Sequence, residues 1–280
     1  MDIKRGLPVG GQALPNGVMM RSREKTAIAL RLRSGRIVTD SWPSRQKRII
    51  KKPVLRGIWQ LALSFKTSFQ TLLRAVRLSG KTGGMRVSPL AIVCAASAVV
   101  LLGLYVFISD LFYRYLGMLL PELSMRYLFT FVYGVADLIL FCFTLFAITR
   151  LPAVSKLLKY HGAEHKAIAC YETGLDMTVE NVSSQSRFHR RCGTSMVVMI
   201  AFAGVITPVF IPPQFPDMAQ ELILFIVLLA AAGISYEAMR SKKTTLITRL
   251  GLTAQRLTTR EPDDAMIECA ICALTEAVKP

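Results

Sequence analysis

The sequence predicts an α-helical polytopic membrane protein with about four transmembrane helices and a small cytoplasmic α+β portion. Three observations predict this class. Long segments are almost free of charge, Lys and Arg are concentrated in alternate connecting segments, and residues of the basic N-terminal segment alternate as in a β-hairpin. Roughly 20 apolar residues cross the hydrocarbon core of a bilayer as a helix, so the uncharged segments set the number of spans.

Four segments are apolar enough to be considered as spans: 89–109, 127–149, 194–213 and 222–236. The second contains one charged residue, Asp137, and the fourth reaches spanning length only when it is extended back to Met218. We therefore predict transmembrane helices 1 and 2 within 89–149, and helices 3 and 4 within 194–238. Asp137 is then an intramembrane acid, either functional or hydrogen-bonded within the helix bundle.

The basic residues predict the orientation of these spans. Residues 1–88 carry 19 Lys and Arg against 3 acidic residues, whereas the connection at 214–220 carries no Lys or Arg. The connection 150–193 and the segment from residue 239 onward carry seven each. Cytoplasmic flanks collect Lys and Arg, so we predict a multi-pass protein of the plasma (inner) membrane with both termini in the cytoplasm.

The net charge of +17 suggests which partners to expect. Anionic lipid headgroups attract basic segments by about 1 kcal/mol per residue, so the bilayer surface is the first expected partner. Nucleic acid is not expected, because no basic motif is interleaved with aromatic residues. A signal peptide is not expected either, since residues 1–88 contain no long apolar core.

Three cytoplasmic segments surround the predicted spans. Residues 1–52 form a basic segment with a Gly-rich loop at 10–17 and a β-hairpin that begins near Thr26. The Gly-rich loop can cradle an anion through backbone N–H groups or form an ordinary turn. Residues 53–79 have the pattern of an amphipathic helix, which lies in the membrane interface or packs against the cytoplasmic domain.

The last cytoplasmic segment, 239–280, ends in another amphipathic helix. This helix contains a C-x-x-C pair, Cys269 and Cys272, among small and apolar residues at helical spacing. Such a pair can mark a redox or zinc site. The helical spacing favours the simpler interpretation, that both cysteines are core residues.

The connection 150–193 contains the residues with the clearest chemical potential. A helix that begins near Pro152 places His161 and His165 one turn apart on one face, where two imidazoles can bind one metal ion. The order H-x-x-E-H is the inverted zincin pattern, in which the glutamate is the general base. Glu164 is therefore the candidate catalytic residue.

A second motif, His189-x-x-Cys192, offers a further imidazole and a thiolate in the same connection. All three histidines of the chain fall between residues 161 and 189. We therefore predict that a divalent metal, with zinc favoured by these donors, is bound by His161, His165 and either His189 or Cys192. The competing interpretation is that these side chains serve as structural hydrogen-bonding groups.

Four blocks of this sequence resemble a known family: 10–21, 160–166, 178–195 and 255–264. The chain resembles the YqhQ-like family, bacterial membrane proteins of unknown function that are often labelled predicted metal-dependent enzymes. The blocks run almost from end to end of the chain. The resemblance implies an enzyme but supplies no substrate.

Two hypotheses about function follow. The first is a metal-dependent membrane enzyme, a hydrolase acting on an unknown substrate at the cytoplasmic His/Glu/Cys site. The alternative is a non-catalytic, metal-stabilised membrane scaffold that recruits a cytoplasmic protein partner. A transporter would require polar residues in several spans, and only Asp137 qualifies.

Overall fold

The computed structural model describes residues 6–44, 50–81, 126–211, 215–241 and 243–279, together with residues 100, 103, 104, 107–109, 111, 112, 114, 115 and 118. These residues are mostly helical, with one small antiparallel sheet near the N-terminus. The predicted span at 89–109 falls largely outside them, and those of its residues that are described are helical.

The helices, numbered in chain order, are α1 (Leu55–Lys81), α2 (Arg126–Ile148), α3 (Pro152–Thr173), α4 (Val179–Ser183), α5 (Thr194–Phe210), α6 (Asp217–Arg240), α7 (Leu246–Thr258) and α8 (Asp264–Val278). The strands are β1 (Gly10–Leu14), β2 (Gly17–Arg21), β3 (Lys25–Arg31) and β4 (Ile37–Pro43). The sheet order is β1-β2-β3-β4, and all neighbouring strands are antiparallel.

The predicted hairpin is confirmed as β3 and β4. The Gly-rich segment differs from the predicted loop, because it forms a second hairpin from β1 and β2. Its two-residue turn is Pro15-Asn16, and Asn16 adopts a φ of 63°. Asparagine enters this left-handed region more readily than most residues, so the chain reverses there without a glycine in the turn.

The two faces of the sheet pack against different helices. Successive side chains of a strand point to opposite faces. Val18 and Ala29 therefore belong to a core with α3 and α8, whereas Met19 and Ile28 belong to a second core with Ala75 of α1. The sheet is thus the middle layer between α1 and the α3–α8 pair.

Helix α1 places its predicted apolar face outward. Phe65, Phe69 and Val76 are 70%, 64% and 46% exposed, while the opposite side of the helix is buried at Thr71 and Ala75. The helix therefore contacts the sheet through small residues and leaves its large apolar side chains uncovered by the described part of the molecule.

Helix α3 is continuous through Gly162, although glycine is a poor helix former. It begins at Pro152, a favoured first residue, and ends at Gly174 in the left-handed conformation. A Cβ atom on Gly162 would lie 2.0 Å from the carbonyl oxygen of Arg260. The glycine thus allows the segment after α7 to cross α3 in direct contact.

Two of the helices are long and apolar enough to cross a membrane: α2 over Thr130–Ile148 and α6 over Met218–Arg240. Helix α5 is apolar but has 17 residues. At a rise of 1.5 Å per residue it is about 26 Å long, near the lower limit for a span.

The ends of these three helices meet on one side of the molecule. Arg260 donates a hydrogen bond to the carbonyl oxygen of Thr149, directly after α2, at 2.8 Å. Arg190 donates to the carbonyl oxygen of Ser241, directly after α6, at 3.3 Å. Helix α5 begins at Thr194, four residues beyond Arg190. The segment that carries the predicted motifs therefore lies where the apolar helices converge.

Candidate metal centre

His161 and His165 lie one turn apart on α3, as the H-x-x-E-H spacing predicts. Their ring centroids are 4.4 Å apart, and the planes meet edge to face at 61°. His165 is 2% exposed, and His161 is half-buried. The helix therefore presents two imidazoles to one small space.

A backbone carbonyl holds each of these two rings. His161 Nδ1 lies 2.8 Å from the carbonyl oxygen of Thr258, and His165 Nδ1 lies 2.6 Å from that of Arg187. A carbonyl oxygen only accepts hydrogen bonds, so Nδ1 carries a proton in both rings, and the neutral form of each ring has its lone pair on Nε2. Histidines that bind metals also donate their other ring N–H to a carbonyl, a carboxylate or water.

Cys192 completes a cluster with the two histidines. Its Sγ lies 3.5 Å from His161 Nε2, and the ligand atoms offered by the three residues lie within 4.8 Å of one another. Nitrogen and sulfur donors of a tetrahedral zinc site are also about 3.5 Å apart, given Zn–N and Zn–S bonds of about 2.0 and 2.3 Å. The three side chains thus offer the donor types of a zinc site, and the spacing of Cys192 and His161 is compatible with one.

Glu164 lies beside this cluster in an unusual environment. The residue is 5% exposed, and its carboxylate makes no hydrogen bond to any residue that the structure describes. Burial raises the pKa of Glu164, and the neighbouring His161 and His189 oppose that shift. Buried polar groups almost always have a hydrogen-bond partner, so this carboxylate is a candidate for contact with water or a ligand.

Strand β1 covers Glu164 at Gly11. A Cβ atom at Gly11 would lie 2.7 Å from Glu164 Cγ and 2.8 Å from its Oε1. Only glycine leaves room for the carboxylate at this point. The N-terminal sheet therefore forms one wall of the site.

His189 lies next to the cluster and is oriented differently. Its ring centroid is 5.7 Å from that of His165, and its Nε2 lies 3.2 Å from a carboxylate oxygen of Glu172. Burial lowers the pKa of His189. The structure thus brings together three of the four predicted ligands, and His189 as a ligand remains a prediction.

Gln255 positions the His189–Cys192 segment, and the sequence motifs did not single it out. Its side-chain amide donates to the carbonyl oxygen of His189 and accepts from the N–H of His189, both at 2.8 Å. Gln255 is completely buried. The only signal in the sequence was its place at the start of the 255–264 block of the family resemblance.

Lys166 and Glu261 fix the segment on the other side of the cluster. Lys166 Nζ donates to the carbonyl oxygen of Ser183 at 2.7 Å and pairs with Glu261 at 2.5 Å. Arg187 lies 3.6 Å from the same carboxylate. These contacts hold the backbone at Arg187, whose carbonyl supports His165.

The other residues that the sequence singled out lie away from this centre. Cys269 is buried in the core, and its thiol donates to the carbonyl oxygen of Ala29 at 3.2 Å. Asp137 accepts a hydrogen bond from the hydroxyl of Ser109 at 2.6 Å, and that hydroxyl is 2.8 Å from the hydroxyl of Tyr133. These contacts agree with the interpretation of Cys269 as a core residue and of Asp137 as an acid that is hydrogen-bonded within the helix bundle.

Comparisons with known proteins agree with the resemblance drawn from the sequence blocks. Residues 52–280 match the family described as "Protein of unknown function (DUF1385)". The chain is 30% identical over 302 aligned positions to "Uncharacterized protein YqhQ" of Bacillus subtilis (strain 168), covering 96% of this chain and 92% of that protein. No solved structure matches the chain. The chain therefore belongs to the DUF1385, or YqhQ-like, family of proteins of unknown function.

Proposed function

We propose that this protein is a metal-dependent membrane hydrolase whose metal ligands are His161, His165 and Cys192 and whose general base is Glu164. The single observation that carries the proposal is the carbonyl support of both imidazoles. It leaves two Nε2 lone pairs beside one cysteine sulfur.

The number of ligands favours catalysis over a structural site. Structural zinc is usually enclosed by four protein ligands, whereas catalytic zinc has three protein ligands and one open position. Three donors cluster in the described part of the chain, with the unpaired carboxylate of Glu164 next to them. His189, paired with Glu172, would then border the open position rather than fill it.

The metal and Glu164 would have different roles in the hydrolysis. A divalent metal, zinc above all, would supply Lewis acidity at the bond to be cleaved. Glu164 would accept a proton from the attacking water and return it to the leaving group. The substrate of this reaction is unknown.

We further propose that the protein crosses the plasma (inner) membrane four times. Both termini and the candidate metal centre would then lie in the cytoplasm. The convergence of α2, α5 and α6 at the site supports it, because all three ends adjoin the basic segments that the positive-inside rule assigns to the cytoplasm. The outward apolar face of α1, flanked by Lys66 and Arg77, suits an anionic membrane surface.

Reporter fusions test this topology. A periplasmic phosphatase fused after Thr173 should be inactive, and one fused after Pro216 should be active. The opposite pattern would place the histidines outside the cell and overturn the orientation.

A non-catalytic scaffold is the second candidate, because a metal at this site would cross-link separate elements. His161 and His165 belong to α3, whereas Cys192 belongs to the segment that leads into α5. Metal binding would then stabilise a surface for a cytoplasmic protein partner.

The variant Glu164→Gln separates the two candidates. It keeps the shape of the side chain and removes the base, which contributes roughly 10²–10⁴-fold in rate in other enzymes. The hydrolase predicts unchanged metal content in the purified protein but failure to complement a deletion strain. The scaffold predicts full complementation by Glu164→Gln and loss of stability in His165→Ala. A variant that also loses its metal would make Glu164 a ligand and refute its role as base.

A further inference from the structure

The apolar helices α2, α5 and α6 line a partly open cavity of about 510 Å³. Ligand sites usually measure about 300–1,000 Å³, so the volume suits one chain of a lipid or a molecule of similar size. The described lining residues are apolar or glycine, apart from Thr130, Tyr133, Asp137 and Gln220. The cavity is thus a mainly hydrocarbon space within the helices that could span a membrane.

Some of the polar groups that line the cavity form hydrogen bonds inside the helix bundle. The hydroxyl of Ser109 donates to Asp137 at 2.6 Å and lies 2.8 Å from the hydroxyl of Tyr133. Two of the four polar lining residues are therefore engaged with a neighbouring helical residue. The facing wall, which includes Val197, Gly204 and Leu228, is apolar.

Helix α5 connects this cavity with the candidate metal centre. The helix begins at Thr194, two residues after Cys192, and Val197 already lines the cavity. At a rise of 1.5 Å per residue, Val197 lies about 5 Å along the axis from Thr194, and Pro208 about 21 Å. The cavity thus extends along α5 from the neighbourhood of the centre into the apolar region.

We propose that the cavity binds one hydrocarbon chain of a membrane lipid and that the substrate is therefore a lipid whose polar group reaches His161, His165 and Cys192. The surroundings favour this occupant, because α2 and α6 are long and apolar enough to lie among lipid chains. The substrate assignment rests on the proposed function. In the hydrolysis, the oxygen of water would bond to the carbonyl carbon or the phosphorus of the lipid, and the bond from that atom to the leaving oxygen would break. The proton of the water would pass through Glu164 to the leaving oxygen.

Gly204 offers a way to fill the cavity without disturbing its walls. A Cβ atom at Gly204 would meet only Leu228 Cδ2, at 4.0 Å, which is ordinary van der Waals contact. Gly204→Leu should therefore fold and occupy the space of the chain. Phe202→Trp is the matched control, because Phe202 lies on the same helix and is 57% exposed. Ala201→Leu provides a second filling variant.

The experiment uses the full-length protein in nanodiscs that contain phosphatidylglycerol with a diazirine in one acyl chain. After photolysis, peptide mass mapping should locate adducts at Phe141 and Val197 in the wild type. One extra or missing methylene in an apolar pocket changes binding by about 10–200-fold. Gly204→Leu should therefore reduce these adducts at least about tenfold. Phe202→Trp should leave them unchanged. Labelling of Gly204→Leu and Ala201→Leu at the wild-type level would overturn the proposal. Adducts confined to residues that face away from the cavity would overturn it as well.

Metal analysis of the same preparations separates this inference from the proposed function. Gly204→Leu should retain as much zinc as the wild type, because the filled space does not touch the three ligands. Gly204-dependent labelling in a protein without metal would refute the hydrolase and preserve the lipid site. Bound zinc with labelling that ignores Gly204 would preserve the metal centre and refute the lipid site.

Discussion

Two cysteine motifs of this molecule share a spacing and have opposite environments. Cys192 follows His189 by three residues and lies 3.5 Å from a histidine nitrogen that has a lone pair. Cys272 follows Cys269 by three residues on α8, where the Cys269 thiol donates to a backbone carbonyl. Burial raises the pKa of Cys269 to about 12, so this thiol stays protonated at neutral pH.

The difference shows what turns a spacing into a site. Two ligands within one helical turn are common, but a metal needs lone pairs from several elements in one space. Around Cys192, α3 and the segment before α5 supply the donors, and carbonyls of Thr258 and Arg187 orient them. Around Cys269, the neighbours are apolar core residues such as Ala29 and Val18.

Loss of a ligand gives the largest expected contrast between the motifs. His165→Ala removes one of three donors and should reduce zinc affinity by more than the roughly 10–100-fold seen when supporting residues are lost. Cys269→Ala should retain full zinc content. Inductively coupled plasma mass spectrometry of both purified proteins measures this. Equal metal content in the two variants would contradict the assignment of the centre.

Loss of Gln255 should have the next largest effect. Gln255→Leu removes the partner of the His189 N–H, and an unpaired buried group costs about 1–3 kcal/mol. The His189 carbonyl loses one of two hydrogen bonds and keeps the one from the Cys192 N–H. The loop that carries Cys192 then loosens, so zinc affinity should fall by about 10–100-fold. Competition with a chromophoric chelator measures it, and Cys272→Ser on α8 should behave as the wild type does.

A smaller effect is expected within the C-x-x-C motif itself. Cys269→Ala removes one buried atom from the core between the sheet and α8 and should lower the free energy of unfolding by about 1 kcal/mol. Thermal unfolding in detergent, followed by circular dichroism, measures the loss. If the unfolding temperature of Cys269→Ala instead responds to added zinc differently from that of the wild type, the motif is not merely structural.

The smallest effect concerns an ion pair that joins α8 to the sheet. A hydrogen bond from Lys25 lowers the pKa of Glu276, so the pair stabilises the fold above the ordinary pKa of Glu and loses this contribution as pH falls through the lowered value. The pair is well solvated, so Glu276→Gln should cost roughly 0.2–1 kcal/mol at pH 7. The difference in unfolding temperature between wild type and variant should shrink as the pH falls through the lowered pKa of Glu276. A difference that grows on acidification would contradict this sign.

The local parts of the fold could be predicted from the sequence. Alternation predicted the β3–β4 hairpin, and three- and four-residue spacing predicted α3, α8 and the shared face of His161 and His165. The β1–β2 hairpin was not predicted, because Gly10, Gly11 and Gly17 indicate a loop by composition. Gly11 is in fact required by Glu164, which is more than 150 residues away in the chain.

The support of the site could not be predicted from residue types. The groups that orient both imidazoles are backbone carbonyls, which every residue carries, and the one at Thr258 lies 97 residues from His161. For the same reason, no motif distinguished His189, whose ring meets Glu172, from Cys192, whose sulfur meets His161. Such pairings depend on how the segment after α7 and the segment before α5 pack against α3.

The contact between Cys269 and Ala29 has a consequence for biosynthesis. The sheet packs against α8 across 240 residues of sequence, with every apolar helix encoded in between. At about 5–20 residues per second, a ribosome needs roughly 12–48 s to make that stretch. During this time the face of the sheet that packs against α8 has no partner from that helix, so this core is completed only at the end of translation.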